Sequence, residues 1–354
     1  MHMADALISP VVGGTMWAAA AGVAAYTIKK TQNDMDEKKI PLMGVMGAFV
    51  FAAQMINFSI PGTGSSGHLG GGMLLAAILG PYAGFLTMAA ILTIQCLFFA
   101  DGGLLALGCN IINMGFFTCF VAYPLIYKRI LARGYSQNRI FGASVLSAII
   151  GLQLGAFGVV LETLLSSKTE LPFGTFVSLM QPIHLGIGIV EGLVTAAVLA
   201  FIWKARPELL EKAASGQALG GISTRRVVTG LAIAAILVGG LLSWFASANP
   251  DGLEWSMART SGQEELEAPE GIHQTFSDIQ ERLAFLPDYS FKASESEPEP
   301  GAAEAEAVEE EAWPAVSGGT SVSGLVGGAM TLALAAFTGW AVSLAKKRKK
   351  NAHA

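Results

Sequence analysis

The first two residues of the chain, Met1 and His2, can together chelate a metal ion. A free α-amine, the backbone nitrogen of the second residue and its imidazole supply three nitrogen ligands that close fused rings around one ion. This set of donors suits a square-planar ion such as Ni²⁺ or Cu²⁺. A fourth ligand must come from elsewhere. His68 in PGTGSSGHLGGG is the leading candidate, because the surrounding glycines allow close approach of the backbone.

This chemistry requires that Met1 keeps a free amine. A secretory signal peptide begins with positive charge and ends at a small-residue cleavage site. No lysine or arginine precedes Lys29, and no convincing cleavage site follows the first apolar stretch. Since His2 is also too bulky for the usual removal of the initiator methionine, we expect Met1 to remain the N-terminal residue. Taken alone, a histidine at position 2 or in a loop is more often incidental than a ligand.

Polar residues inside or beside later apolar stretches are candidates for orienting these ligands. Asp101, Asn110 and Asn113 occur in FFADGGLLALGCNIINMG, and His184 and Glu191 share one helix face in QPIHLGIGIVEG. Ionisable residues within a membrane are costly and mark functional sites. Groups that hydrogen-bond to metal ligands commonly fix their orientation. For the two asparagines, hydrogen bonds that only fix helix packing are an equally good explanation.

Other chemistries find no support in the sequence. Residues 62–67, GTGSSG, have the glycine spacing of a phosphate-binding loop, but His68 and Leu69 replace its lysine and hydroxyl residue. Neither an HExxH zinc-protease helix nor a GxSxG nucleophile elbow is present. The three cysteines lie in apolar stretches without CxxC spacing, so they read as packing residues.

The composition is that of a membrane protein. Hydrophobic residues make up 52% of the 354 residues and charged residues 14%, and an average soluble domain carries about 25% charged residues. Apolar stretches near the roughly 20 residues that cross a bilayer recur along the chain. They are residues 9–28, 40–60, 68–100, 104–126, 140–165, 177–203, 227–246 and 322–344. The predicted fold class is an all-α polytopic membrane protein.

The distribution of basic residues predicts the topology. Four clusters, near residues 29–39, 128–139, 204–226 and 346–350, hold 18 of the 22 lysine and arginine residues. Cytoplasmic loops carry such an excess of positive charge. Placing all four clusters inside puts the N-terminus outside. It also requires that residues 68–100 enter and leave on one face, as a helical hairpin broken at Gly80-Pro81. The predicted count is seven helices followed by a pair.

Composition also divides the chain. Residues 1–205 form the predicted metal-capture unit, 206–226 a cytoplasmic linker, 227–345 a two-helix unit, and 346–354 a basic cytoplasmic tail. Residues 249–319 form an extracytoplasmic loop within the two-helix unit. The middle of this loop, SESEPEPGAAEAEAVEEEAW, is an acidic Pro/Ala stretch that we expect to be disordered.

Four separated motifs together resemble one transporter family. MHMADALISP, SSGHLGGG, QCLFFADGGLLALGCNIINMG and HLGIGIVEG are similar, in this order, to the substrate-capture subunit of nickel/cobalt energy-coupling-factor transporters of the CbiM/NikM type. NPDGLEW at 249–255 resembles the accessory subunit of the nickel branch, here fused to the C-terminus as in NikMN-like proteins. The resemblance implies metal ligands at Met1, His2 and His68. Met3-Ala4-Asp5 departs from the commoner family form.

The resemblance implies a transport subunit and not an enzyme. The chain carries no ATPase motif, and family relatives dock to a transmembrane coupling component and two cytoplasmic ATPase subunits. The implied cargo is Ni²⁺ or Co²⁺, with PDGLE favouring nickel, and no organic cofactor or nucleic acid is implied. We expect a multi-pass protein of a prokaryotic cytoplasmic membrane. Two alternatives stay open: a membrane metalloenzyme using His68, His184 and Glu191, and a metal sensor.

Overall fold

Helices make up most of the chain, and the computed structural model describes residues 1–292 and 313–351. The helices are α1 (Pro10–Asp34), α2 (Lys39–Gln54), α3 (Gly72–Leu79), α4 (Pro81–Phe99), α5 (Leu107–Leu131), α6 (Gln137–Leu165), α7 (Phe173–Ala205), α8 (Pro207–Ser215), α9 (Arg225–Gly240), α10 (Gly252–Ser261), α11 (Ile272–Leu283) and α12 (Gly318–Asn351). Within these residues, six helices are long and apolar enough to cross a membrane: α1, α4, α5, α6, α7 and α12. The prediction of an all-α polytopic membrane protein is confirmed.

Shorter elements complete the bundle. The apolar helix α2 has 16 residues. Two short strands, β1 (Phe58–Ile60) and β2 (Ser65–Gly67), pair antiparallel just before His68. The predicted hairpin over residues 68–100 is present as α3 and α4, which meet at Gly80. That residue has a φ of 81°, and Pro81 starts α4 with the fixed φ that suits a first helical position.

The two ends of the bundle differ in character. One end, the N-terminal face, carries Met1, the β-hairpin, the loop after α4, and residues 246–292. The other end, the basic face, carries the four basic clusters at helix termini. Contacts link these clusters across the basic face: Lys38 Nζ donates to the Ile222 carbonyl at 2.9 Å, and Lys346 Nζ to the Met35 carbonyl at 2.8 Å.

The helix α7, which carries His184 and Glu191, packs closely against α6. Gly188 and Gly192 lie four residues apart and face the backbone of α6. A Cβ atom would lie 2.9 Å from Ile149 Cα at the first glycine and 2.4 Å from Val145 Cα at the second. Small residues at this spacing let helices approach closely in a membrane. The packing therefore fixes the depth of both polar residues of α7.

Several helices lie where the sequence analysis predicted none. α8 falls in the predicted linker and buries Leu209 and Leu210. α10 and α11 fall in the loop 249–319, and a search for apolar spans does not find them because they are polar. The acidic stretch 294–313 lies outside the described residues, apart from Trp313, so its predicted disorder stays a prediction.

Candidate metal-capture site

The N-terminal amine lies at the centre of the candidate site. The Met1 nitrogen is 3.2 Å from His68 Nε2 and 2.8 Å from Asp251 Oδ2. Met1 forms a buried ion pair with Asp251, in which the side chain of Met1 is 4% exposed and that of Asp251 is 16% exposed. The structure therefore brings the predicted pair Met1 and His68 together across 67 residues of sequence.

The tautomer of His68 follows from its other contact. His68 Nδ1 lies 3.1 Å from the Leu69 carbonyl oxygen, which can only accept, so Nδ1 carries the proton. Nε2 then presents its lone pair towards the amine. Burial, followed by the positive charges of the amine and of His2, lowers the pKa of His68 to about 3, against the opposing effects of Asp251 and Asp101. His68 is thus held as the neutral imidazole that binds metal ions.

Glu191 of α7 fixes the loop that carries His68. Its Oε2 accepts from the backbone nitrogen of Gly70 at 2.7 Å and its Oε1 from that of Gly71 at 3.1 Å. The Gly70 N–H belongs to the same peptide group as the Leu69 carbonyl, which accepts from His68. The orientation of that peptide group therefore transmits the position of Glu191 to the imidazole.

Glycines make this clamp possible. Gly71 has a φ of 77°, and a Cβ atom there would lie 2.4 Å from Val50 Cγ1. At Gly70 a Cβ atom would lie 2.9 Å from Glu191 Oε2. On the other side of the loop, Gln54 Nε2 donates to the Gly70 carbonyl at 2.8 Å. The two peptide groups on either side of Gly70 are therefore held by buried side chains.

His2 packs against His68 and bonds to Asp101. The two imidazole rings are stacked with centroids 4.9 Å apart, and His2 Nδ1 lies 3.0 Å from Asp101 Oδ1. The Tyr289 hydroxyl donates to the other oxygen of Asp101. Burial opposes ionisation of Asp101, but the charge of His2 and the hydrogen bonds from His2 and Tyr289 outweigh it and hold its pKa well below the ordinary value. His2 Nε2 is buried and has no hydrogen-bond partner among the described residues.

The residues after His2 anchor the N-terminal segment to α5. Asn110 Oδ1 accepts from the Met3 backbone nitrogen at 2.8 Å, and Asn110 Nδ2 donates to the Met3 carbonyl at 3.2 Å. Asp5 Oδ1 accepts from the Ala106 backbone nitrogen at 2.9 Å. Asn113 Nδ2 donates to Glu162 Oε2 at 2.7 Å and touches the Met3 sulfur. The two asparagines therefore act on the backbone and side chain of Met3, next to the proposed ligands.

Asp251 joins the C-terminal unit to the amine. Its Oδ1 accepts from the backbone nitrogens of Leu253 and Glu254 at the start of α10, and the Glu254 side chain completes a capping box. Its Oδ2 remains for Met1. Burial opposes ionisation of Asp251, but the amine and His68 outweigh it and depress its pKa well below the ordinary value. Gly252 permits the close approach, since a Cβ atom there would lie 2.6 Å from Ile183 Cγ2.

His184 lies beneath the amine. Its Nδ1 is 2.8 Å from the Met180 carbonyl, so Nδ1 donates, and its buried Nε2 has no hydrogen-bond partner within the described residues. A small cavity of about 10 Å³ is lined by His184 together with Met1, His68 and Asp251. His184 therefore borders the same space as two of the proposed ligands.

A larger cavity opens over the site. It has a volume of about 540 Å³ and is lined by His2 and His68 at its base. Its other walls carry acidic side chains: Asp5, Asp101, Asp251, Glu254, Glu265 and Asp288. We call this cavity the vestibule. Its carboxylates make it an attractive path for a cation and an unfavourable one for an anion.

Sequence reasoning missed three contributions to the site. Asp251 belongs to a DGLE sequence whose capping-box spacing was visible, but the contact with Met1 spans 250 residues. Tyr289 lies in a turn where two successive residues have positive φ, 48° at Asp288 and 58° at Tyr289. Non-glycine residues are held in this conformation only where surrounding contacts dictate it. Glu162 was passed over because it stands alone in an apolar helix.

Among the residues that the structure describes, no group of three or more His, Cys, Asp and Glu side chains is arranged to hold a metal ion. The candidate site differs from such clusters because its donors include an α-amine and a backbone nitrogen. Only two imidazoles complete it.

The fold and this site define a polytopic membrane protein with a nitrogen-rich pocket under an acidic vestibule. A family model described as the cobalt uptake substrate-specific transmembrane region, CbiM, matches residues 2–209, and a PDGLE domain model matches residues 225–344. The chain belongs to the CbiM family and carries a PDGLE domain.

This chain is similar to proteins named as fused nickel transport proteins and to proteins named as cobalt transport proteins. A protein of Archaeoglobus fulgidus assigned as a fused nickel transport protein, NikMN, is 40% identical over 244 residues, which are 68% of this chain and 79% of that one. The cobalt transport protein CbiM of Sorangium cellulosum is 29% identical, over 60% of this chain and 95% of its own. A crystal structure of a truncated transition metal transporter matches with a TM-score of 0.52 and 31% identity, covering 58% of this chain and 99% of that one. The chain is thus a transport-family membrane protein related to nickel and cobalt transport proteins.

Proposed function

We propose that this protein is the substrate-capture component of an ATP-driven energy-coupling-factor importer and binds Ni²⁺, with Co²⁺ as the second candidate cargo. The observation that carries the proposal is the 3.2 Å approach of the Met1 nitrogen to the bare Nε2 of His68. Two good metal donors that already form a hydrogen bond with each other are close enough to bind a single ion in its place. The fused nickel relative and the PDGLE domain favour nickel as the cargo.

Four nitrogens would hold the ion. The Met1 amine, the His2 backbone nitrogen and His2 Nδ1 close a five-membered and a six-membered chelate ring, and His68 Nε2 supplies the fourth donor. Nδ1 is the imidazole nitrogen that closes the six-membered ring, and it contacts Asp101 in the structure. Capture therefore exchanges Asp101 for the ion at Nδ1. The displaced carboxylates of Asp101 and Asp251 stay nearby to balance the charge of the bound ion.

Five residues would support these ligands in distinct ways. Glu191 orients the loop of His68, Asp101 holds His2 before capture, and His184 lies beneath the amine. Asn110 and Asn113 hold Met3 and so place the two residues before it. Each of these roles rests on the contacts described above, and each is testable by substitution.

We further propose the orientation and assembly of the protein. The N-terminal face, with its vestibule, lies outside the cytoplasmic membrane of a prokaryote, and the basic face lies in the cytoplasm. Residues 1–205 are the capture unit, 206–226 a linker, 227–345 the accessory unit, and 346–354 the tail. The protein docks to a transmembrane coupling component and two cytoplasmic ATPase subunits that supply the energy. The excess of basic residues on one face supports this orientation.

The deciding experiment is a titration of the purified full-length protein with Ni²⁺, Co²⁺ and Cu²⁺. We expect one ion per chain, with an absorption spectrum typical of square-planar Ni²⁺ bound by nitrogen. Raw affinity follows an order in which copper exceeds nickel and cobalt, so selectivity is judged between Ni²⁺ and Co²⁺. A bound ion that retains a water ligand would instead indicate the open coordination position of a metalloenzyme.

Orientation has its own test. Single cysteines introduced at the exposed residues 37 and 265, in a background without Cys96, Cys109 and Cys119, are labelled with a membrane-impermeant reagent in intact cells. We expect labelling at residue 265 and none at residue 37. The opposite pattern would reverse the proposed topology.

A further inference from the structure

A second charged cavity lies on the basic face, far from the metal-capture site. It has a volume of about 430 Å³ between the end of α5 and the start of α6. Three arginines, Arg129, Arg133 and Arg139, line it together with aliphatic side chains. Its lining, which falls wholly within the described residues, includes no carboxylate. We call this cavity the arginine pocket.

The three guanidinium groups are differently engaged. Arg139 is fixed, because its Nη1 donates to the Arg133 carbonyl at 2.6 Å and to the Gly134 carbonyl at 3.1 Å. Arg129 and Arg133, four residues apart and hence on one side of the helix end, make no such contact within the described residues. Two cations without a partner in the described part of the chain therefore lie beside a third that anchors the turn.

The apolar wall of the pocket faces outward. Leu125 precedes Arg129 by one helical turn, about 6 Å, and is 49% exposed. Leu146 of α6 follows Arg139 by seven residues, about 10 Å, and is 47% exposed. Positive charge thus lies at the level of the helix ends, with exposed aliphatic side chains beneath it. An anionic lipid has this same order, a phosphate above and acyl chains below.

We propose that the arginine pocket binds the phosphate group of an anionic phospholipid, whose acyl chains lie along Leu125 and Leu146. Arginine matches phosphate oxygens with paired N–H donors, and the absence of a lining carboxylate leaves its charge uncompensated. Basic pockets between membrane helices bind lipid headgroups in this way. The exposed leucines favour a lipid over free phosphate, which would leave them uncovered. This site is independent of the proposed metal capture.

The test uses the full-length protein, delipidated in detergent and titrated with phosphatidylglycerol or phosphatidylcholine. Bound lipid is counted by native mass spectrometry, and melting temperature is followed in parallel. We expect one tightly bound phosphatidylglycerol and no equivalent phosphatidylcholine. The Arg129→Gln/Arg133→Gln variant should bind it roughly thirtyfold more weakly, about fivefold for each arginine.

A matched control separates a built site from general charge. Arg225→Gln/Arg226→Gln removes the same charge from the same face but lies outside the pocket, and its lipid affinity should equal that of the wild type. Equal losses in both double variants, or no preference for phosphatidylglycerol in the wild type, would overturn the proposal. Displacement of the lipid by millimolar inorganic phosphate, with equal stabilisation by phosphate alone, would assign the pocket to small anions and also overturn it.

Discussion

Blocking the N-terminal amine is the sharpest perturbation of the site. An uncleaved extension before Met1 turns the amine into an amide, which removes a metal ligand and one partner of the ion pair with Asp251. The two partners are 2.8 Å apart and only 4% and 16% exposed. We expect Ni²⁺ binding to be abolished and the metal-free protein to lose stability.

The size of the stability loss follows from the surroundings of Asp251. Removing one partner of a buried ion pair costs about 3–5 kcal/mol. Asp251 Oδ1 keeps its two backbone donors at the start of α10, and the carboxylate borders the vestibule. We therefore expect the lower end of that range, about 3 kcal/mol. Thermal unfolding in detergent measures this loss, and a C-terminal extension of equal length should show none.

A second substitution separates the two effects. In the extended protein, Asp251→Asn removes the uncompensated carboxylate and should recover much of the lost stability. It should not restore Ni²⁺ binding, because the amine is still absent. Unchanged Ni²⁺ affinity in the extended protein would refute the amine as a ligand. Recovery of binding with Asp251→Asn would show that the extension acted through disorder of the site.

Four further predictions test the surrounding residues. His2→Ala and His68→Ala should each weaken Ni²⁺ binding more than His184→Ala, for which a loss of roughly 10–100-fold is expected; the reverse order would place the ion deeper in the membrane. Ni²⁺ binding should release protons and weaken as the pH falls from about 8 to about 6, measured by calorimetry in buffers of different ionisation enthalpy, whereas a pH-independent affinity would contradict a site built on the amine. The folded state holds the pKa of His68 near 3, below its ordinary value of about 6.5, so the unfolded state takes up a proton first as the pH falls. The free energy of unfolding of the metal-free protein should therefore decrease by about 2 kcal/mol between pH 6.5 and pH 5. The His68→Gln variant should not show this decrease. Glu191→Gln, which replaces one acceptor of the loop clamp by a donor, should weaken Ni²⁺ binding roughly 10–100-fold but have no further effect in a His68→Ala background.

The features of the fold that the lipid bilayer constrains could be predicted from the sequence. Apolar length, the Gly80-Pro81 break and the clustering of basic residues are local signals, and each reflects a constraint that acts on every membrane helix. α8, α10 and α11 were missed because they are short and polar. Such helices form where tertiary packing supplies the stability that their own sequences lack. Their existence therefore depends on neighbours that a single stretch of sequence does not reveal.

The contacts of the candidate site also include some that the sequence could predict and some that it could not. The approach of Met1 to His68 could be anticipated because both fall on the same face by topological parity, and because amine and imidazole share one chemistry. Asp251 and Tyr289 could not be anticipated, since their partners lie 250 and 188 residues away. A capping box shows that Asp251 starts a helix but not what its second oxygen faces. Such contacts arise only when the C-terminal unit docks.

The contact between Met1 and Asp251 has a consequence for the covalent arrangement of the two units. If they were separate chains, this ion pair would form between molecules and depend on how much of each the membrane holds. Fusion makes it intramolecular, with an effective concentration set by the connecting segment, commonly millimolar for a short flexible linker. The pair then forms at any expression level and with fixed one-to-one stoichiometry. Cutting the chain between α8 and α9 should therefore make occupancy of the amine by Asp251 sensitive to dilution in lipid, although no side chain has changed.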